Sequence, residues 1–187
     1  EIYGTIQHEI EIDAVSVLDA PASGYRGMHL DLARNFNDKN TIIKMIEIMS
    51  FYKLNRLHLH LTDDEGWRLE IRELPELTEI GGYRGHSGND MECLPPAYGS
   101  GPFPDPGTSY GSGYLSREDF IEILRFADKH HIEVIPEINM PGHARAAIKA
   151  MEARYNRLME EGKEEEAERF RLIDPSDTSK YTSAQNY

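Results

Sequence analysis

Apolar and polar residues follow two different rhythms along this chain. Short apolar stretches of the kind found in β-strands lie at residues 28–32, 57–62 and 132–138. Other segments repeat apolar residues every three or four positions, which indicates helices with one buried face. Strands that alternate with helices predict right-handed βαβ units and a parallel sheet.

Capping residues mark the starts of the predicted helices. Asn37 or Asp38 can accept a hydrogen bond from the first turn of one helix. The sequence SRED at residues 116–119 forms a capping box for a second helix, which should run to His130. A third helix is predicted to begin near residues 141–142.

Two regions interrupt this alternation. Residues 1–18 place apolar side chains at alternate positions, which predicts a strand or hairpin. We therefore treat residues 1–20 as a lead-in and residues 21–187 as the N-terminal portion of the main domain. The connection over residues 63–115 is rich in Gly, Pro, Ser and Tyr from residue 81 to residue 113. Loops of that length are commonly functional or disordered.

Polar residues follow each predicted strand at the point where the strand ends. They are Asp31 and Arg34 after the first strand, Asp63 and Asp64 after the second, and Glu137 and His143 after the third. Because the carboxyl ends of parallel strands meet at one edge of a sheet, we expect these side chains to share one site. This placement fits both a (β/α)8 barrel and a doubly wound sheet. No glycine-rich phosphate loop follows the first strand, which weakens a nucleotide-binding interpretation.

Composition narrows the range of partners. The net charge of −13 argues against nucleic acid, whose phosphates would be repelled. No apolar run approaches the roughly 18 residues that a membrane span needs. Cys93 is the one cysteine, so no disulfide can form within the chain. Glutamates crowd residues 160–168, a run typical of a solvated helix face.

The small number of predicted strands has a structural consequence. Three parallel strands leave two edges unpaired and one face of the sheet without a covering layer. We therefore expect the chain to be an incomplete domain, which needs further sequence or self-association through the exposed edges.

Three blocks of sequence carry a resemblance to a known family. They are YRGMHLDLARNF at residues 25–36, YKLN at 52–55 running into HLHLTDDEGWR at 58–68, and PEINMPGH at 136–143. In this order and at strand–helix spacing, they resemble the family 20 glycoside hydrolases, the β-N-acetylhexosaminidases. The resemblance covers roughly residues 20 to 150, and the tail from Ile173 to Tyr187 also looks like a loop of bacterial members. It implies the N-terminal part of a (β/α)8 barrel, about three to four βα units.

The resemblance also implies a reaction. In this family the 2-acetamido carbonyl of the substrate attacks the anomeric carbon, an Asp orients the acetamido group, and the adjacent Glu protonates the leaving oxygen. The family places that pair after the fourth strand in a Gly-Gly-Asp-Glu sequence, which does not occur here. The chain alone is therefore predicted to be inactive. The implied partner is a terminal N-acetylhexosamine of a glycan, no cofactor is implied, and the implied location is periplasmic or secreted.

Four residues match positions with roles in the family. Arg34 matches the arginine that binds hydroxyls of the terminal sugar, although an ion pair with Asp31 or Asp38 is the alternative for this side chain. Asp63 matches a carboxylate expected near the general acid, and His143 matches a histidine of the same polar network. Glu137 is a weaker substrate-binding candidate.

One departure from the family concerns that network. Many members have Asp at the position of Asn139. An amide can orient the imidazole of His143 but cannot stabilise its charged form as a carboxylate would, so a proton-relay role for His143 loses support.

Other interpretations stay open at this point. The chain can be a non-catalytic carbohydrate-binding remnant, or a (β/α)8 hydrolase of amylase-like or chitinase-like specificity. His58 and His60 alternate on one strand and so face the same side. Two histidines without a third ligand are weak evidence for a metal, so we predict none. Trp67 is expected to be a packing anchor rather than a platform for a sugar.

Overall fold

The chain has a mixed α/β fold. A computed structural model describes residues 13–87, 92–107 and 109–172. In chain order its elements are β1 (Gly27–Asp31), α1 (Lys39–Phe51), β2 (Arg56–His60), β3 (Thr62–Asp63), β4 (Gly66–Trp67), α2 (Glu76–Glu79), α3 (Arg117–Lys129), β5 (Glu133–Glu137), α4 (Arg145–Glu160) and α5 (Glu164–Ala167), followed by a 3-10 helix (Glu168–Phe170).

The main sheet is parallel and has the order β1-β2-β5. Asp31 lies opposite His60 on β2, and His60 lies opposite Glu137 on β5, so the three carboxyl ends are level with one another. The parallel sheet predicted from the sequence is confirmed for the described residues. Its register brings the polar strand ends to a single edge.

One face of this sheet is apolar and covered by helices. Leu57 and Leu59 of β2 are fully buried against α1 and α3, where Ile46 and Ile123 are also fully buried. Strand residues alternate between the two faces, so the residues between these leucines point to the opposite face. That face carries His58 and His60, and within residues 13–87, 92–107 and 109–172 no helix layer covers it.

Two of the three predicted helix starts agree with the structure. The side chain of Asp38 accepts a hydrogen bond from the backbone of Thr41, and Ser116 and Asp119 form a reciprocal capping box. The third start was wrong, because α4 begins at Arg145 rather than near residues 141–142. The intervening residues cannot be helical, since His143 has a left-handed backbone with φ 53°.

The long connection between β2 and α3 is not structureless. It contains the antiparallel pair β3–β4 and helix α2, neither of which the sequence pattern predicted. A second core forms here, in which Trp67 packs with Leu77, Ala146 and Ala150. Trp67 is 7% exposed, which confirms that it is a packing anchor. This core fixes α4 against the connection.

Some predictions fall partly or wholly outside the described residues. Residues 1–12 of the predicted lead-in strand and the tail at residues 173–187 are outside them, and residues 13–18 form no helix or strand. Glu164, Glu165 and Glu166 are exposed, as expected of a solvated run. None of the helices in the described ranges has the length and apolar character to cross a membrane.

Candidate functional site

The guanidinium of Arg34 lies among three carboxylates just beyond β1. Its Nη1 is 2.9 Å from Asp31 Oδ2, its Nη2 is 2.7 Å from Asp63 Oδ2, and its Nε is 3.2 Å from Glu65 Oε2. Burial alone would lower the pKa of Arg34, but the hydrogen bond to Asp31 and the charge of Asp63 raise it. Since the side chain is 28% exposed, this charged group is held in place and still faces solvent. The alternative pairing with Asp31 is therefore present, whereas Asp38 caps α1.

Asp63 is the centre of the site. Its side chain is 2% exposed, and its Oδ2 lies 2.7 Å from Arg34 Nη2 and 2.9 Å from His60 Nε2. Its Oδ1 accepts a hydrogen bond from the backbone N–H of Asp64 at 2.7 Å. Burial favours the neutral acid, but the hydrogen bonds from Asp64 and His60 outweigh it and lower the pKa of Asp63. Asp63 is an ionised, oriented carboxylate.

His143 lies on the solvent side of Asp63. Its Nδ1 is 3.3 Å from Asp63 Oδ1 and 3.9 Å from Asp64 Oδ2, and its side chain is 55% exposed. Asp64 also accepts a hydrogen bond from the backbone N–H of Arg145 at 3.0 Å. It therefore caps α4 from another segment and fixes the loop that carries His143.

Asn139, the departure from the family pattern, reaches the same carboxylate. Its Nδ2 is 3.4 Å from Asp63 Oδ2, and its backbone N–H donates to Thr62 Oγ1 at 2.9 Å. The carboxylate that faces His143 is thus supplied by Asp63. Asp63 therefore gives His143 the carboxylate neighbour that an aspartate at position 139 would provide.

Glu137 ends β5 on the uncovered face of the sheet. Its Oε1 is 2.8 Å from His60 Nδ1, and its Oε2 is 2.6 Å from His58 Nε2. His29 on β1 is more distant, with its Nε2 3.7 Å from Glu137 Oε2. His58 and His60 therefore face the same side, as the alternation predicted. Contact of Glu137 with a sugar stays a prediction.

Two clusters among the described residues offer ligand atoms for a metal ion. They are His29, His60 and Glu137, and Asp63, Asp64 and His143, with ligand atoms within 4.8 Å of one another in each. In the first cluster both ring nitrogens of His60 already have carboxylate partners. In the second, Asp63 is bound by Arg34. Protein groups therefore already bind one central member of each cluster, His60 in the first and Asp63 in the second.

Arg68 connects the chain segments that surround the site. It is fully buried, and its five N–H groups meet the carbonyl oxygens of Leu32, Ala33, Gly82, Gly111 and Gly113 at 2.7 to 3.0 Å. Gly113 is required there, because its φ is 135° and a Cβ would overlap the ring of Phe36. Arg68 therefore ties the long connection to the end of β1.

Arg84 continues this attachment directly to the site residues. It is also fully buried, and its Nη2 donates to the carbonyl of Arg34 at 2.7 Å while its Nη1 donates to the carbonyl of Glu65 at 2.9 Å. Neither Arg84 nor Arg68 forms an ion pair with a carboxylate in the part of the chain that the structure describes. Backbone carbonyls accept the hydrogen bonds that the structure describes for both buried guanidinium groups.

The structure brings together all four residues singled out from the sequence. Arg34, Asp63 and His143 are in one cluster, and Glu137 is joined to it through His60. Sequence reasoning missed Glu65 and Arg84. Glu65 directly follows the aspartate pair and carried a usable signal, whereas Arg84 lies in the long connection with no pattern to mark it.

Glu65 provides a pH-dependent test of this geometry. Burial and the charge of Asp63 raise the pKa of Glu65. The ionised carboxylate therefore costs stability once the pH exceeds the ordinary glutamate value, and the cost disappears in acid. Glu65→Gln should raise the melting temperature by roughly 3 °C near neutral pH and by much less at about pH 4.

Thermal unfolding of both proteins at the two pH values measures this effect. Glu118→Gln is the matched control, because Glu118 is an exposed carboxylate paired with Arg72 on the surface. Its small effect should be similar at both pH values. A Glu65→Gln effect that is the same at both pH values would contradict the burial argument.

These features define an α/β protein with a polar site at the carboxyl ends of parallel strands. The model of the glycosyl hydrolase family 20 catalytic domain matches residues 24–186, and the chain therefore belongs to that family. This match excludes the amylase-like and chitinase-like alternatives.

Named relatives are similar over most of this chain. It is 54% identical over 188 residues to an N,N'-diacetylchitobiase of Vibrio harveyi and 49% identical over 180 residues to a beta-hexosaminidase B of Pseudoalteromonas piscicida. The alignments cover 100% and 96% of this chain but 21% and 23% of those proteins. The chain thus spans about a fifth of the length of these relatives.

Solved structures confirm the α/β fold. A GH20 exo-β-N-acetylglucosaminidase from Vibrio harveyi in complex with N-acetylglucosamine matches 86% of this chain with a TM-score of 0.67 and 38% identity, over 21% of its own chain. An N-acetyl-β-hexosaminidase of Streptomyces plicatus matches 70% of this chain with a TM-score of 0.54 and 35% identity, over 22% of its own chain.

Proposed function

We propose that the protein is a β-N-acetylhexosaminidase, which removes terminal non-reducing N-acetylhexosamine residues by the substrate-assisted, retaining mechanism. The observation that carries this proposal is the pair formed by Arg34 and Asp63. Arg34 is a charged donor and Asp63 is a buried carboxylate, and their Nη2 and Oδ2 atoms lie 2.7 Å apart at the edge where the parallel strands end. The chain in which they occur belongs to family 20. We further propose that the three parallel strands are the first of a (β/α)8 barrel.

Arg34 is proposed to bind two hydroxyls of the terminal sugar. Of its five N–H groups, three point towards Asp31, Asp63 and Glu65. The remaining two, one on each Nη, are proposed to meet sugar oxygens, which would draw the second N–H of Nη1 from His60 Nε2, 3.3 Å away; the planar guanidinium can direct the two in parallel. The three carboxylates are what keep this fork in one orientation before the sugar binds.

Asp63 and His143 are proposed to support the general acid. A negative charge held close to a carboxylic acid raises the pKa of that acid, which a group that must protonate a leaving oxygen requires. Asp63 is an ionised carboxylate that Arg34 and His60 hold in position. The sequence contains no Gly-Gly-Asp-Glu, so the acid and the acetamido-orienting Asp are proposed to come from a part of the protein beyond these 187 residues.

The chain by itself is expected to show no hydrolysis, because no residue in it matches the general acid. Periplasmic or secreted location and self-association through the sheet edges stay predictions, the first from family resemblance and the second from the unpaired strands.

The full-length protein that contains this chain should hydrolyse 4-nitrophenyl N-acetyl-β-D-glucosaminide. The matching β-D-glucoside, which lacks the acetamido group, should react about 10⁴-fold more slowly, because it has lost the intramolecular nucleophile. Comparison of kcat/KM for the two substrates measures this ratio.

Each possible result separates the competing functions. Similar rates on both substrates would contradict a substrate-assisted mechanism. Binding of N-acetylglucosamine without hydrolysis of its glycoside would instead support the non-catalytic carbohydrate-binding alternative. The N-acetylgalactosaminide, assayed in parallel, establishes whether the protein distinguishes the two configurations of the sugar at C4.

A further inference from the structure

His60 occupies an unusual position between two carboxylates. Its Nδ1 is 2.8 Å from Glu137 Oε1 and its Nε2 is 2.9 Å from Asp63 Oδ2. The side chain is 7% exposed, so water does not compete for either nitrogen. Both distances are those of strong, charge-assisted hydrogen bonds.

The identity of the donor on the Asp63 side follows from the neighbouring groups. An ionised carboxylate can only accept, and Asp63 is kept ionised by Arg34 and by the backbone N–H of Asp64. A bare Nε2 would place its lone pair against this anion at 2.9 Å. Arg34 Nη1, whose second N–H is the competing donor, is more distant from Nε2, at 3.3 Å, than Asp63 Oδ2 is, at 2.9 Å. The proton is therefore on Nε2 of His60.

The other ring nitrogen of His60, Nδ1, lies 2.8 Å from Glu137 Oε1. This short contact fixes the ring plane and leaves Nε2 directed at Asp63. In the described residues, Glu137 and Asp63 both contact this ring. The ring links the end of β5 to the carboxylate that pairs with Arg34.

We infer that His60 is a positioning residue of the proposed hydrolase: its Nε2–H holds Asp63 against Arg34, and Glu137 acts on the site through this imidazole. The inference rests on the proposed function, because it assigns a role in the binding of the terminal sugar by Arg34. It also gives Glu137 a task other than direct contact with the sugar.

His58 provides a matched control for this inference. It lies on the same strand and the same face as His60, and its Nε2 contacts the same carboxylate, Glu137, at 2.6 Å. Its described contacts are with Glu137 and the ring of His29, and not with Asp63. Removal of His58 therefore takes one partner from Glu137 Oε2 while it leaves the contacts of His60 with Glu137 Oε1 and with Asp63 in place.

The test compares variants of the full-length protein. His60→Leu should lower kcat/KM on the N-acetylglucosaminide about 50-fold, the loss expected for one charge-assisted hydrogen bond, whereas His58→Leu should lower it less than about threefold. His60→Gln, which retains an N–H donor, should recover activity to within about fivefold of wild type. Equal losses in His60→Leu and His58→Leu, or no recovery in His60→Gln, would overturn the inference.

A double-mutant cycle tests the claim about Glu137. Glu137→Gln should lower kcat/KM about tenfold in the wild-type background and should have no further effect in the His60→Leu background. Multiplicative losses would mean that Glu137 acts independently of His60. A purely structural role for His60 would not produce this non-additive result.

A readout independent of activity keeps the two hypotheses separate. In crystal structures of the full-length variants, the Asp63 carboxylate should turn away from Arg34 in His60→Leu and remain paired with it in His58→Leu. A wild-type protein that hydrolyses no N-acetylhexosaminide would refute the proposed function alone, whereas an unmoved Asp63 in His60→Leu would refute the positioning role.

Discussion

Replacement of Arg68 with methionine should lower the free energy of unfolding of this chain by about 4 kcal/mol. The substitution removes five buried N–H donors and leaves the carbonyls of Leu32, Gly111 and Gly113 without another donor among the described contacts. The carbonyls of Ala33 and Gly82 keep Arg84 Nη1 and the N–H of Gly113. Desolvation works in the other direction, since burial lowers the pKa of Arg68 to about 9 and methionine would avoid that cost. The orphaned carbonyls outweigh this gain, because each costs about 1–3 kcal/mol when buried.

Urea unfolding can be followed through the fluorescence of Trp67, the single tryptophan, which is adjacent in sequence to Arg68. Arg72→Met is the control, because Arg72 is 56% exposed and pairs with Glu118 at the surface. Its effect should be below about 1 kcal/mol. Arg68→Lys should remain strongly destabilising, since one ammonium group cannot reach five carbonyls. A loss below about 1 kcal/mol in Arg68→Met would show that Arg68 does not tie these segments together.

Arg34→Ala should lower kcat/KM of the full-length protein on an N-acetylglucosaminide about 1000-fold. Two charged hydrogen bonds to the sugar would be lost, and Asp31, Asp63 and Glu65 would be left facing one another without their shared cation. Arg34→Lys should recover little of this loss, because an ammonium group cannot satisfy three carboxylates and two hydroxyls from one point.

Steady-state kinetics measure this loss, and a control separates it from general damage. Arg26 lies one residue before β1, at the opposite end of the strand, and its Nε donates to the carbonyl of Lys53. Arg26→Ala should leave kcat/KM within about threefold of wild type. Unchanged activity in Arg34→Ala would rule out its role in sugar binding.

Much of the fold was predictable because apolar periodicity reports burial. The β2 segment alternates leucine with histidine, and the structure buries Leu57 and Leu59 against helices while His58 and His60 face the other side. Convergence of the site followed from the same reasoning, since parallel strands with level ends must bring their terminal polar residues to one edge.

The supporting contacts could not be predicted in this way. Arg68 and Arg84 are held by carbonyl oxygens, and every residue has a carbonyl, so no residue type marks their partners. The partners of Arg68 also lie far apart in sequence, at Leu32 and at Gly113 for example. The late start of α4 has a similar origin, because its cap is the side chain of Asp64 from another segment.

The uncovered sheet face also differs from expectation. A parallel sheet usually needs apolar layers on both faces, and we therefore expected the chain to depend on a covering partner. Most side chains on this face are polar, with Ile135 beside His58 as an apolar exception, and His58 and His60 contact Glu137. Exposure of this face to water therefore costs less free energy than exposure of an apolar sheet face would.

The loops around the site are held by contacts of Arg68 and Arg84 with backbone carbonyls, and these contacts should resist acid and salt better than the carboxylate contacts of Arg34 do. Peptide dipoles are not neutralised by acid, and dissolved ions do not screen contacts that are closed off from solvent. The contact of Arg34 with Glu65, in contrast, weakens when that carboxyl group is protonated. In acidic surroundings the loops should keep their shape while Glu65 changes charge, so recovery of the binding surface would require only the loss of its proton and no refolding.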